Sequence, residues 1–354
     1  MMRTVLRFLW RSFLVLLAIV LVAVVILALI PARTPSLEGE RAIASIEKWD
    51  VGGLEQAVLV RTADRELPAL LYVASGPHMS SIPFSERFRG ELEKHFLLVQ
   101  WDPRGTGRSC TGDANAAPTM QALVSDTVAI AEAIRSRFAK DRVFLVGHSI
   151  GASVALQAAA SRPELFAAVV AVSPVVHAAR NEKTAVDLLR EEAGKRGDGD
   201  IQAELDRLRL PYPDIETLVA QRQIVARYGG EFAKGDGTEA LLHALRAPEY
   251  TAYDKARYIS CAQNATRHFF SGYMSTDLFA AAPSFRVPVH FFLGRADLIA
   301  VPALVQEYAE HVDAPAVTTT RFEQSAHYPQ LEEPQRFQQE LIRALREPAP
   351  APAQ

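Results

Sequence analysis

Hydrophobic and polar positions fall into three regimes along the chain. The first is one unbroken apolar run, the 18 consecutive positions of 13–30. As a helix this run rises about 27 Å, close to a hydrocarbon core roughly 30 Å thick. Arg3, Arg7 and Arg11 precede it, and Trp10 stands where an interfacial aromatic belongs. The pattern predicts a basic flank over 1–11 and a transmembrane anchor over 12–32. A cleaved signal peptide is the rival reading. Ile30-Pro31-Ala32 is a poor small-x-small site, and the run is longer than an ordinary signal core. Arg33, Arg41 and Lys48 follow the span, so the charge bias is slight. The free amine and the tight cluster before the span favour an N-terminus inside and the bulk of the chain outside, a single-pass protein with its main domain extracytoplasmic.

The second regime begins near residue 51. Short apolar runs at 57–60, 70–74, 96–101, 143–146, 167–172, 287–293 and 316–322 read as strands, mostly too continuously apolar to have a wet face. Helical patterns at 120–138, 152–160, 304–311 and 334–345 alternate with them. That alternation predicts an α/β fold with a mostly parallel central sheet flanked by helices. The third regime, 176–282, is charged, helical and poor in strands, as at 182–195, 201–209 and 253–270. It reads as a helical cap inserted within one domain covering 51–346. Residues 33–50 read as a tether with a short amphipathic stretch, and 347–354 as a disordered Pro/Ala tail.

Composition narrows the partners. Lys and Arg number 38 against 41 Asp and Glu, a net charge of −3, which argues against nucleic acid as a partner. Two cysteines make no disulfide scaffold, and no Cys-x-x-Cys or His-x-x-x-His spacing suggests zinc.

The candidate chemistry begins at Gly147-His148-Ser149-Ile150-Gly151, which follows an apolar strand and opens a small-residue helix. A serine on a sharp strand-to-helix turn projects its hydroxyl from the sheet, and the flanking glycines let strand and helix approach. The turn also sets Ser149 at a helix N-terminus, where free N–H groups favour a developing oxyanion. A serine nucleophile needs a base, and the base needs an orienting carboxylate, in the chain order Ser, acid, His for this architecture. Asp297 lies just past the strand at 287–293, and His327 in the loop after the strand at 316–322. His148 reads as part of the turn and His290 as a core residue inside a strand.

These residues resemble the α/β-hydrolase superfamily, and several segments resemble its proline iminopeptidase-like branch. They are Leu70 to Pro77 (ending Ala74-Ser75-Gly76-Pro77), Phe96 to Ser109 (ending Asp102-Pro103-Arg104-Gly105-Thr106-Gly107-Arg108-Ser109), the turn at Ser149, Phe291 to Asp297, and Ser325-Ala326-His327-Tyr328-Pro329. The resemblance covers about 50–346. It implies an α/β-hydrolase fold, a Ser149–Asp297–His327 triad, a helical cap over the site, and neither metal nor organic cofactor. The family usually carries His-Gly-Gly-Pro-Gly after its third strand, where this chain reads Ala74-Ser75-Gly76-Pro77-His78. The oxyanion hole is expected from the N–H groups of Ile150 and Gly76. His148 and Ile150 stand where true proline iminopeptidases tend to have Gly and Trp.

The expected activity is a membrane-anchored serine hydrolase acting on short peptides with a free N-terminus or on small esters and amides. Its partners are then that substrate and the lipid bilayer. A catalytically silent receptor or scaffold of the same fold is the alternative. Glu182, Glu191, Glu192 and Glu231 in the cap are candidates to hold a substrate amine, and a cap carboxylate facing the serine favours an aminopeptidase. An apolar cap favours an esterase. The loop at 102–108 reads as structural, braced by an Asp–Arg pair. Whether Cys110 and Cys261 pair is left open, and Asn264-Ala265-Thr266 is a weak glycosylation match.

Overall fold

A computed structural model of the chain describes residues 2–76, 79–111, 117–235 and 237–346. The expected tail at 347–354 therefore lies outside the described residues, as do Pro77 and His78.

Among the described residues eight strands form one sheet: β1 (Ile43–Val51), β2 (Leu54–Thr62), β3 (Ala69–Val73), β4 (Leu97–Trp101), β5 (Val143–His148), β6 (Phe166–Val172), β7 (Val289–Gly294) and β8 (Val317–Phe322). Their order is β1-β2-β4-β3-β5-β6-β7-β8. β1, β2 and β4 pair antiparallel, and every later pairing is parallel. Successive side chains on a strand point to opposite faces. Leu71, Val99, Leu145, Val169 and Phe291 accordingly share a core with Ile130, Val154 and Tyr308. Their neighbours Leu70, Leu98, Val146, Val170 and Phe292 share the opposite core with Phe88, Phe337 and Leu341. Burial on both faces is why these strands read as unbroken apolar runs.

The domain starts earlier than the sequence pattern implies. Residues 43–50, expected within the tether, form all but the last residue of edge strand β1. Gly52 and Gly53, at φ of 61° and 77°, make the two-residue turn into β2. Only Trp49 and Val51 of β1 are buried, so its apolar signal is faint. Residues 33–35 are docked as well. Arg33 N–H donates to Pro248 O at 2.9 Å. Arg61 Nη1 reaches both Thr34 Oγ1 and Pro35 O at 2.6 Å.

The insertion follows β6 and returns before β7, as expected for 176–282. Its helices are Ala178–Arg196, Gly199–Asp206, Ile215–Arg227, Thr238–Arg246, Ala252–Met274 and Leu278–Ala281. Its base is pinched by an antiparallel bridge between His177 and Asp277. Leu278 N–H donates to Val176 O at 2.7 Å, and Ala178 N–H to Thr276 O at 3.0 Å. Val186, Leu189, Leu205, Ile224 and Val225 give the cap a small core of its own. Cys110, just after β4, and Cys261, in the helix Ala252–Met274, are joined by a disulfide that ties cap to body.

Residues Met2–Leu29 form one 28-residue helix. Among the described residues no helix is long and apolar enough to cross a membrane, so the anchor expected over 12–32 has no support at this level. Part of that segment, the side chains of 20 and 23–29, lies outside what is described.

Candidate active site

β5 runs into Ser149, and the helix Ile150–Ser161 starts at the next residue. Ser149 sits at φ 56° and ψ −123°, a conformation that costs free energy for a residue with a Cβ. Its N–H is fixed to Val172 O on β6 at 2.8 Å. The glycines are required by space: a Cβ on Gly151 would overlap the Ala74 carbonyl, and one on Gly147 the Gly151 carbonyl.

The sheet brings the two partners expected from the sequence to this serine. Asp297 stands three residues beyond the end of β7, and His327 five beyond β8. His327 Nε2 lies 2.9 Å from Ser149 Oγ, and Nδ1 lies 2.9 Å from Asp297 Oδ2. All three are buried, at 2–3% exposure. With its proton on Nδ1, the imidazole donates to the carboxylate and accepts from the serine hydroxyl. The second oxygen of Asp297 accepts from the N–H groups of Ile299 and Ala300, both at 2.8 Å, which fixes the carboxylate plane. His148 is part of the turn, as expected, and its Nε2 lies 2.7 Å from the backbone oxygen of His327. His290 is a core residue, 2.7 Å from Thr318 Oγ1, with its pKa pushed down to about 4 by burial.

One expectation needs correction. Gly76 was expected to offer its N–H to an oxyanion. At φ 114° its N–H folds back onto Ala74 O at 2.7 Å, so the donor is committed within its own turn. Ile150 does occupy the first position of its helix, where N–H groups lack an intrahelical acceptor. The 102–108 loop is braced by an Asp–Arg pair, as expected, with the aspartate supplied by the helix Met120–Phe138. Arg104 grips Asp126 through two bonds of 2.7 Å. Asp102 instead accepts from Ser80, from Tyr250 at 2.7 Å and from Arg108 N–H at 2.7 Å. Burial pushes its pKa up to about 6 despite these donors.

A cavity of about 580 Å³ opens over Ser149 and His327. Its wall is mostly apolar, with Met79, Ile150, Leu218, Phe269 and Phe270, and its polar groups include Arg222, Tyr273 and Glu231. The four cap glutamates part company here. Glu191 is exposed and Glu192 half-buried, and they pair with Lys195 and Arg196 one helical turn on. Glu182 is fully buried and held by Arg222 through bonds of 2.7 and 2.9 Å, with Tyr273 OH also donating to it. Glu231 lines the cavity, and no hydrogen bond or ion pair engages its carboxylate among the described residues. Burial raises its pKa from the ordinary carboxylate range, with nearby His327 and Arg222 opposing the rise. Arg222 and Tyr273 were not singled out from sequence, nor was Glu332, which accepts from Ala326 N–H beside His327. The one local signal was the acidic pair at 332–333, five residues after His327. Among the described residues no cluster of three or more His, Cys, Asp or Glu is arranged to hold a metal ion.

A serine on a strained strand-to-helix turn, with acid and base after the last two parallel strands, defines a class: the chain has the α/β-hydrolase fold, and its likenesses support a member of that superfamily. It is a hydrolase, so the silent-scaffold alternative falls away. The particular likenesses are to aminopeptidases and esterases. The family model for serine aminopeptidase, S33, matches residues 66–206. The "Probable aminopeptidase YbaC" of Bacillus subtilis is 28% identical over 312 residues, 87% of this chain and 98% of that protein. Human "Monoglyceride lipase" is 30% identical over 121 residues, 34% of this chain and 40% of that protein. Among solved structures, a proline iminopeptidase-related protein from Thermus thermophilus superposes with a TM-score of 0.60 at 22% identity, over 86% of this chain and 97% of that one. The proline iminopeptidase of Mycobacterium smegmatis gives 0.64 at 18%, over 85% and 97%. At those identities the structural likeness establishes the fold.

Proposed function

We propose that the protein is a serine hydrolase that cleaves small apolar acyl substrates carrying a free amine, through an acyl-enzyme. Ser149 Oγ attacks the acyl carbon as its proton passes to His327 Nε2. His327 returns that proton to the departing amine or alcohol, then takes one from the water that hydrolyses the acyl-enzyme. Asp297 holds the imidazole and stabilises its charged form. Ile150 N–H stabilises the oxyanion.

The triad spacing of 2.9 Å on both sides of His327 supports the chemistry. The amine preference rests on Glu231. It is a half-buried carboxylate in an apolar cavity with no counter-ion of its own. A substrate ammonium supplies the missing charge, and the position beside His327 puts that ammonium near the scissile carbonyl. The B. subtilis relative named as a probable aminopeptidase agrees with this reading. The predominantly apolar wall favours a second one, hydrolysis of uncharged esters.

Alanyl and prolyl nitroanilides, their N-acetylated forms and a short nitrophenyl ester separate the two. The first reading expects the free amine to be strongly preferred. It expects Glu231→Gln to lose about tenfold or more in kcat/KM on free-amine substrates, the worth of one hydrogen bond to a charged group. Ester turnover with no amine preference selects the second reading.

The cellular placement is a separate proposal: a single-pass membrane protein anchored by 12–32, with the catalytic domain extracytoplasmic. Its supports are the 18-residue apolar run, the exposure of Phe13, Leu16, Leu17 and Leu21 on their helix, and the Cys110–Cys261 disulfide, which suits an oxidising compartment. Recovery of the full chain in the soluble fraction after cell lysis refutes the anchor. Full protection of the domain from protease in intact spheroplasts reverses the orientation.

A further inference from the structure

The segment that carries Glu231 is not part of any helix. Residues 229–235 connect the helices Ile215–Arg227 and Thr238–Arg246 and line the cavity with Glu231 and Phe232, with Gly229 and Gly235 at φ of 73° and 79°. Backbone outside regular structure needs acceptors and donors from elsewhere. This strap finds them on the two loops that hold the acid and the base. Gly230 O accepts from Leu298 N–H, beside Asp297, at 3.0 Å. Glu231 O accepts from His327 N–H at 3.0 Å. Phe232 stacks on Tyr328 with ring centroids 4.6 Å apart.

One side chain joins both partners. Glu332 Oε1 accepts from Ala233 N–H on the strap at 2.6 Å, and Oε2 accepts from Ala326 N–H, next to His327, at 2.8 Å. Its neighbour Glu333 holds the histidine loop alone, taking Gln324 N–H at 3.0 Å and Ser325 Oγ–H at 2.7 Å. We propose that Glu332 is a positioning residue for amine specificity, one carboxylate that locks the Glu231 strap to the His327 loop. It sets the distance between the ammonium-binding carboxylate and the catalytic base. The proposal rests on the reading of Glu231 given above for its kinetic consequence, and on geometry alone for its structural one.

Glu333 supplies the control. Glu332→Gln keeps the shape but converts one acceptor into a donor, so one of the two N–H groups loses its partner. Kinetics on alanyl nitroanilide and a short nitrophenyl ester, with hydrogen exchange on the same full-length proteins, read the result. E332Q is expected to lose about tenfold more kcat/KM on the amine substrate than on the ester, mainly in KM, the scale of one charge-assisted hydrogen bond. E333Q is expected to scale both substrates alike. In an E231Q background, E332Q is expected to bring no further loss of selectivity, because the two act through one contact. Hydrogen exchange is expected to rise in both 229–235 and 324–328 for E332Q, and in 324–328 alone for E333Q. Equal losses on both substrates, or an additive double mutant, overturn the specificity role. Should wild type show no amine preference, the reading of Glu231 fails, and exchange still decides the lock: unchanged protection in 229–235 overturns it. If E332Q does not fold, Glu332→Asp keeps the charge on a shorter reach and carries the same expectations.

Discussion

The strand ends and the cap build one cavity by different means. At the strand ends, each reactive side chain is placed by backbone. Ser149, Asp297 and His327 follow β5, β7 and β8, and the parallel register of those strands carries the three to one edge of the sheet. The cap places its polar groups by side-chain pairing across long stretches of chain. Glu182, Arg222 and Tyr273 come from three different cap helices and meet in one buried cluster. Arg61, Arg89, Glu93 and Glu249 make a second such cluster beneath the cap, all buried. The first region therefore depends on backbone placement, down to glycines that leave no room for a Cβ, and the second on each side-chain partner being present.

The largest effect is expected where the comparison is sharpest. Ser149→Ala should lower kcat on the order of 10⁴-fold or more with little change in thermal stability, measured on ester and amide substrates. Loss of stability along with activity would mean that the turn depends on the hydroxyl. On the cap side, Arg222→Met strands the fully buried Glu182 and should cost about 3–5 kcal/mol in denaturant unfolding. Glu182→Gln combined with Arg222→Met should recover much of that loss. Failure to recover would show that Arg222 contributes through packing.

A chemical variant of the same comparison is reduction of the disulfide. Cys110 and Cys261 are 151 residues apart in sequence, and opening such a loop should cost about 2–5 kcal/mol. KM should rise as the helix Ala252–Met274, which supplies Phe269, Phe270 and Tyr273 to the cavity, loosens against the body. An unchanged KM would show that the cap's own contacts suffice.

The smallest expected effect is a pH dependence at the joint between the regions. Asp102 lies behind Ser80 and Tyr250 with its pKa raised by burial to about 6, above its unfolded value. The folded state thus binds this proton more tightly than the unfolded one. The stability it contributes is complete below the unfolded value and is lost as pH rises through about 6. Asp102→Asn should flatten the stability profile across that window, and an unaltered slope assigns it to other groups.

Legibility in the sequence followed the same division. Unbroken apolar runs betrayed the central strands because both of their faces are covered, and the glycines at 147 and 151 betrayed the elbow because no Cβ fits there. β1 escaped notice because an edge strand buries only Trp49 and Val51, although the Gly52-Gly53 turn was a usable hairpin signal. An Asp–Arg brace for the 102–108 loop was legible, but its partners were not: Arg104 turned to Asp126 and Asp102 to Tyr250.

The chain by itself determined the α/β alternation, the position of the cap, and the three residues that meet at the strand ends. These depend on local periodicity and on backbone geometry, which neighbouring residues set. Only the tertiary structure decided that Glu182 is neutralised by Arg222 while Glu231 is left to face the cavity, that Gly76 spends its N–H on its own turn, and that Glu332 spans strap and histidine loop. A glutamate's role depends on which partner folding brings within 3 Å, and that partner can stand anywhere in the sequence.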